Sequence, residues 1–327
     1  MRLLSLTRSV LCLGLAVLAA RAADLRVGMI GLDTSHAVAF ARILNDPANP
    51  EHVAGAKIVA AFKGGSPDIP KSISRVEGFV NDLKKFPEIV IYDSIAELVK
   101  NVDAVMILSV DGRAHLAQAK AVFPSGKPVF IDKPVAGSLR DVLAIFQLAK
   151  ETGAPCFSSS SLRYNTASAL KGEGYGDLQG AFTYGPAEIE PHHPDLYWYG
   201  IHAVEMLYTV MGQGCTTVVR THANNTDIVT GTWSDGRVGT MRGNRGGKSV
   251  YGVTVFGSAA VISKVPAHSY APLVQDMVKF FQTRIAPVAP AETIELLAFM
   301  EAADESKRRG GAPVAIADVM AANRPAK

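Results

Sequence analysis

Three short stretches of this 327-residue chain carry residue types able to do chemistry. The first runs Gly126-Lys127-Pro128-Val129-Phe130-Ile131-Asp132-Lys133-Pro134. An apolar run that ends in Lys and then Pro predicts a buried strand whose last side chain stands at a cleft edge, because proline cannot continue the ladder. A partly desolvated Lys133 can hydrogen-bond a substrate hydroxyl and shift towards neutrality, and Asp132 beside it can keep it charged. The second is Tyr199-Gly200-Ile201-His202-Ala203-Val204-Glu205. An imidazole with an ordinary pKa of about 6.5 is suited to take or return a hydroxyl proton; the alternative is a histidine capping a buried helix. The third is Gly28-Met29-Ile30-Gly31-Leu32-Asp33-Thr34-Ser35-His36, a strand-to-helix turn of the kind that holds a dinucleotide pyrophosphate when it reads G-x-G-x-x-G. Gly31 fits the first glycine, whereas Asp33 and His36 stand at the second and third. Either Gly31, Asp33, Thr34 and Ser35 form a degenerate phosphate turn, or Asp33 or Ser35 merely caps a helix.

Weaker candidates surround these. The second apolar run ends Ala61-Phe62-Lys63-Gly64-Gly65-Ser66, with no acid to hold a ribose. Lys63 and Ser66 could hold a 2′-phosphate instead, or the loop is simply solvated. His192-His193 with Asp195 invites a metal reading, but neither H-x-x-x-H nor H-E-x-x-H spacing occurs, so no metal is expected. His193, Trp198 and Tyr199 are candidates to line a sugar cleft, where aromatic rings stack well. Ser158–Ser161 lack a nucleophile-elbow context.

The stretch from Asp103 to Pro134 resembles the glucose–fructose oxidoreductase / inositol dehydrogenase / MocA family. It carries D-A-V-x-I, then His115, then G-K-x-V-x-x-D-K-P, with Asp132 where that family has Glu. The similarity extends over about residues 25–310. It implies a Rossmann-type domain followed by an α/β domain on an open antiparallel sheet, NAD or NADP between them, and oxidation of a secondary hydroxyl of a sugar or polyol. It implies Lys133 and His202 as proton-transfer residues. It also implies Gly31, Asp33, Thr34, Ser35, Lys63, Ser109, His115, Lys133 and Arg163 as cofactor neighbours, Arg163 resembling an Arg near the cleft. Glu205 resembles the acid after the family's His. The Asp four residues before that His is here Trp198, with Asp195 or Tyr199 as substitutes.

The elements that must position these groups follow from hydropathy. Uniformly apolar strands at Leu25–Ile30, Lys57–Phe62, Ile89–Tyr92, Ala104–Leu108, Pro128–Ile131 and Pro155–Ser158 alternate with helical patterns. That suits a doubly wound parallel sheet buried on both faces, with ligands beyond the strands' carboxyl ends. After Gly153 the pattern changes. A helix at Tyr199–Met211 precedes strands at Thr216–Thr221, Ile228–Trp233, Val238–Arg242 and Val250–Phe256, separated by Asn, Asp and Gly turns. Helices at Pro272–Phe281 and Glu292–Arg308 follow. The expected fold class is α/β. A Rossmann-type domain spans 24–153, a substrate and oligomerisation domain with an open, mostly antiparallel sheet spans 154–310, and 311–327 is a surface tail.

Residues 1–22 read as a secretory signal peptide: Arg2 and Arg8, a short uncharged run Ser9–Ala20, and an A-x-A end. Cys12 has no lipobox before it. Removing the segment takes Lys+Arg from 33 to 30 against Asp+Glu 30, so the formal charge of +3 becomes zero. No basic run remains to recruit nucleic acid, and no membrane association is expected after cleavage. Only Cys156 and Cys215 remain, too few for a disulfide scaffold. The sequence thus points to an exported, periplasmic or extracellular NAD(P)-dependent oxidoreductase of carbohydrate-like substrates, with the open sheet available for homo-oligomers. The alternative is a carbohydrate-binding or scaffold protein that keeps the fold without redox turnover, favoured by the broken glycine fingerprint, by Trp198, and by export of an unfolded chain away from cytoplasmic cofactor.

Overall fold

The structure, a computed structural model, describes residues 23–324; the expected signal segment 1–22 lies outside them. Six parallel strands, β1 (Leu25–Ile30), β2 (Ala56–Phe62), β3 (Val90–Tyr92), β4 (Ala104–Ile107), β5 (Val129–Ile131) and β6 (Cys156–Ser158), lie in the order β3-β2-β1-β4-β5-β6. Every residue of β4, β5 and β6 is buried, as continuous apolar runs require when helices cover both faces. The helices between them are α1 (Ser35–Asn45), α2 (Pro70–Ile73), α3 (Val76–Leu83), α4 (Ile95–Lys100), α5 (His115–Val122) and α6 (Leu139–Thr152). The sequence pattern located the strands and the longer helices; α2, a single turn, and α3, eight residues with Gly78 inside, were too short to be read. Strand order reverses beside β1, between β2 and β4, so a cleft opens above the turn after β1.

The second half begins with α7 (Ser161–Leu170) and β7 (Leu178–Pro186), followed by α8 (Gly200–Met211), β8 (Cys215–Ala223), β9 (Thr226–Trp233), β10 (Val238–Asn244), β11 (Gly252–Gly257) and β12 (Val261–Lys264). Then come α9 (Ala271–Thr283), α10 (Pro290–Arg308), β13 (Val314–Ala315) and α11 (Ile316–Ala322). The sheet order is β12-β11-β7-β10-β9-β8-β13, antiparallel except for β7 against β10. β7 escaped the sequence reading because Gly180 and Gly185 break its apolar alternation, yet it sits centrally, flanked by β11 and β10.

One expectation is corrected. The segment after Gly310 is not a surface tail: Val314 pairs with Val218, and Val314, Ile316 and Val319 are buried, so apolar residues spaced for a strand and a helix complete the sheet edge. The second half is not self-contained. Helix α9 folds back onto the first sheet, where Leu273, Met277 and Phe280 join Ile58, Phe130 and Phe157 in one core, the Phe157 and Phe280 rings 4.9 Å apart. Burying these large side chains ties the two lobes together and fixes the cleft between them.

Candidate active site

The floor of the cleft is the turn after β1. Gly31 has φ +95°, which an L side chain rarely adopts, and a Cβ there would collide with the Ser109 backbone. The turn is sewn to the neighbouring strand ends by Gly31 N–H to the Phe62 carbonyl at 3.0 Å and Leu32 N–H to the Lys63 carbonyl at 2.7 Å. Thr34 then caps α1, accepting from the His36 N–H. This aims His36 across the cleft mouth, against Phe40 and Tyr270 (ring centroids at 5.3 and 4.9 Å), with Nδ1 2.5 Å from Asp132 Oδ2.

Asp132 and Lys133 follow β5. The Asp132 N–H donates to the Ile107 carbonyl, which continues the ladder one residue beyond the strand. The Asp132 carboxylate accepts from the Lys133 N–H on one oxygen and from His36 on the other. Burial works to raise the Asp132 pKa, but His36 and Lys133 outweigh it and hold the carboxyl below its ordinary range. The Lys133 ammonium lies 5.2 Å from the centre of the Tyr199 ring, a cation–π contact. Burial pushes Lys133 below the usual lysine value; Asp132 resists this and the positive Arg75 adds to it.

From the opposite lobe, α8 presents His202 in its first turn, with Nδ1 2.7 Å from the Ser160 hydroxyl. Burial, then the charges of Lys133, His36 and His268, drive His202 well below the ordinary histidine value, so it is neutral at neutral pH. Lys133 and His202 line one cavity of about 540 Å³, together with Thr34, Ser35, His36, Arg75, Asp132, Trp198, Tyr199, Tyr251, His268 and Tyr270. An ammonium and a neutral imidazole facing one polar, aromatic-walled space can pass a proton to and from a hydroxylated ligand.

Of the sequence candidates, Thr34, Ser35, Lys133, Trp198, Tyr199 and His202 meet in this cavity. The others lie elsewhere. His115 is fully buried beneath the floor, its ring between the Ser109 and Val135 carbonyls. Ser109 is buried against Gly31 and accepts from Gln118. Lys63 pairs with Glu77 at the surface. Arg163 is held by Glu205 and Glu292, both at 2.6 Å, so Glu205 is a partner of Arg163 and not a cavity wall. His193 is buried behind Trp198, its Nε2 3.1 Å from Asp111. Asp195 does not stand in for the missing acid: it turns away into an ion cluster with Arg220, Arg245 and Lys307. No group of three His, Cys, Asp or Glu with metal-binding spacing occurs among the described residues. The sequence reading missed His36 as a site residue, although it stands at the third glycine position, and missed Arg75, Tyr251, His268 and Tyr270, which no motif marks.

Residues 25–160 match the model of the oxidoreductase family with an NAD-binding Rossmann fold that takes its name from glucose–fructose oxidoreductase, inositol dehydrogenase and MocA. The resemblance read from the sequence is thereby borne out over these residues, which are similar to that family's NAD-binding unit. About 90% of the chain superposes on dehydrogenases of known structure. Myo-inositol 2-dehydrogenase from Lactobacillus plantarum aligns with a TM-score of 0.69 and 17% identity over 90% of this chain and 99% of that one. Myo-inositol dehydrogenase from Lactobacillus casei, in complex with NAD(H) and myo-inositol, aligns with a TM-score of 0.69 and 15% identity over 90% and 97%. Scyllo-inositol dehydrogenase from Lactobacillus casei gives 0.69 and 13% over 90% and 98%. At these identities the likeness establishes a shared fold. No curated protein matches the chain in sequence.

The family description implies a dinucleotide lying across the turn after β1, and the residues there do not fit one. The segment from Gly64 to Arg75 crosses the carboxyl ends of β1 and β4, where pyrophosphate and ribose would lie. A Cβ on Gly64 would come within 3.1 Å of the Gly31 Cα. The Ser72 hydroxyl donates to Asp33 Oδ2 at 2.5 Å, and the Ser66 hydroxyl donates to Asp111 at 2.6 Å. Ile69 and Ser72 are fully buried. Asp33, also fully buried, accepts from Val110 N–H on its other oxygen. The glycine cradle is thus filled by the chain itself, and its aspartate is bonded inwards.

Proposed function

We propose that this chain is an exported enzyme of the oxidoreductase family that acts on a small polyhydroxylated, carbohydrate-like compound, with Lys133 and His202 moving the proton of a substrate hydroxyl. One observation carries the reading: residues 69 positions apart in sequence bring an ammonium and a neutral imidazole into a single cavity of about 540 Å³. That volume suits a monosaccharide-sized guest. The aromatic walls at Trp198, Tyr199, Tyr251 and Tyr270 offer stacking faces for its ring, and Thr34 and Ser35 offer hydroxyl partners. Export rests on the basic start, short apolar centre and A-x-A end of residues 1–22. The open face of the second sheet is the surface through which copies of the chain would pair.

A more specific reading pairs this proton transfer with NAD or NADP as hydride partner at a secondary hydroxyl. The family match of residues 25–160 favours it, and a structural neighbour is described with NAD(H) and myo-inositol. It requires the segment 64–75 to leave the turn after β1. The two forms are separated by purifying the chain without residues 1–22, denaturing it and assaying the supernatant for nicotinamide dinucleotide. NADH and NADPH are then titrated by fluorescence, and conversion of polyols and sugars is followed by NMR with and without each dinucleotide. Conversion without added dinucleotide and no release assigns dinucleotide-free acid–base chemistry. Conversion only with NAD or NADP assigns the dehydrogenase form and names the cofactor. If no compound is converted under either condition, the enzymatic reading falls.

A further inference from the structure

The segment that fills the dinucleotide groove also delivers a cation to the cavity. Arg75 faces the same space as Lys133 and makes no side-chain hydrogen bond or ion pair among the described residues; its Nε is buried without a partner, and the Phe79 ring lies 5.9 Å away. The Lys133 ammonium forms no ion pair among the described residues either; it rests over Tyr199. Among the described residues the one carboxylate lining the cavity, Asp132, is already bonded to His36 and to the Lys133 N–H. Two cations without a carboxylate partner therefore face a semi-enclosed space in which the single negative group is committed, while Lys71, a third cation of the lining, pairs with Glu188. Like charges in such a space repel strongly, because little water is left to screen them. An anion between them would relieve that repulsion and give both donors a partner.

We propose that the cavity binds an anionic sugar derivative, its carboxylate or phosphate gripped by the Arg75 guanidinium while Lys133 and His202 face a hydroxyl-bearing carbon. Arg75 is then the residue that sets substrate class, and the segment 64–75 is part of the substrate site. Its planar fork suits either anion, and bidentate pairing fixes the ring's orientation as well as its affinity. The inference rests on the proton-transfer reading above for the role of Lys133 and His202, but not for the anion site itself.

The test is calorimetric titration of the chain without residues 1–22. The probes are a hexuronate, an aldonate and a hexose phosphate, set against the neutral probes glucose and myo-inositol. At least one charged probe should bind about tenfold or more tightly than either neutral one, and more weakly as salt is raised. Arg75→Met should bring charged and neutral probes to within about twofold of one another, and Arg75→Lys should restore part of the difference. Whether the carboxylates or the phosphate binds more tightly identifies the anion. Equal binding of charged and neutral probes, binding of none, or undiminished acid binding by Arg75→Met overturns the proposal. If neutral polyols bind and Lys133→Met abolishes their conversion, the proton pair stands and the anion site falls. If acids bind through Arg75 and Lys133→Met converts them normally, the anion site stands and the proton pair falls.

Discussion

His36 Nδ1 stands 2.5 Å from Asp132 Oδ2, so an imidazole from the turn after β1 reaches the carboxylate that precedes Lys133. The contact joins the first turn of α1 to the residue that follows β5, 96 positions apart in sequence, and closes one side of the cavity. Asp132 is nearly inaccessible to water, and His36 is its only side-chain partner among the described residues. Replacing His36 by Ala leaves that carboxylate with a single backbone donor. His36→Ala is expected to cost about 1.5–3 kcal/mol, the range for a hydrogen bond to a charged group, read as a lower midpoint in urea unfolding. Asp132→Asn should lower the Lys133 pKa further, since Asp132 is the group that raises it; the rate of lysine acylation against pH measures this.

Lys133 and His202 are electrostatically coupled, and the direction is fixed. The positive Lys133 is one cause, after burial, of the depressed His202 pKa. In Lys133→Met that contribution disappears, so the imidazole resonances of His202 should titrate at higher pH than in the parent protein. An unmoved titration would separate the two groups in space. Conversion of substrate should fall by about a hundredfold or more in the same variant, the usual loss on removing a positioned acid or base.

The pH profile of activity follows from the same shifts. Neutral His202 persists well below its ordinary value of about 6.5, so the acidic limb of the rate profile should lie below that pH. His202→Gln should abolish this limb. A limb that remains unchanged in the variant would assign it to another group.

The segment from Gly64 to Arg75 is held down by buried hydrogen bonds, and Ser72 supplies the central one. Ser72→Ala leaves Asp33 Oδ2 buried without its donor, at a cost of about 1–3 kcal/mol. Limited proteolysis should then cut between residues 64 and 75 faster than in the parent. Gly31→Ala acts on the same floor through sterics and backbone strain. It should destabilise by more than about 2 kcal/mol, because Ser109 cannot retreat from the added methyl group.

Away from the cleft, Arg220 is completely buried among Asp195, Asp227 and Asp304. Arg220→Met leaves these carboxylates facing one another and should cost about 3–5 kcal/mol. Burial raises the Asp195 pKa, but Lys307, Arg220 and Arg245 outweigh it and bring it to about 2. Its folded value lies below its unfolded one, so its contribution is complete above the unfolded value and is lost as pH falls towards 2. Melting temperature should therefore drop steeply below about pH 4, and less steeply in the Arg220→Met variant.

Much of the scaffold was legible because it depends on local information. Strands buried on both faces read as unbroken apolar runs, and Gly31, Lys133-Pro134 and His202 stand at element ends that any local reading marks. β7 was hidden because its glycines break the alternation while its neighbours in the sheet supply the pairing. The tail was misread because Val314 gains its partner, Val218, from a strand almost a hundred residues earlier.

The sequence by itself determined the alternation of strands and helices, the place of the cleft at the strand ends, and the chemical types of its two principal proton carriers, since each is written in neighbouring residues. Only the tertiary structure decided that His36 would bind Asp132, that Asp33 would face inwards to Ser72, and that Arg75 would share a cavity with Lys133. Those contacts join side chains far apart in the chain, and their energies exist only once packing has excluded water and fixed the distances between charges.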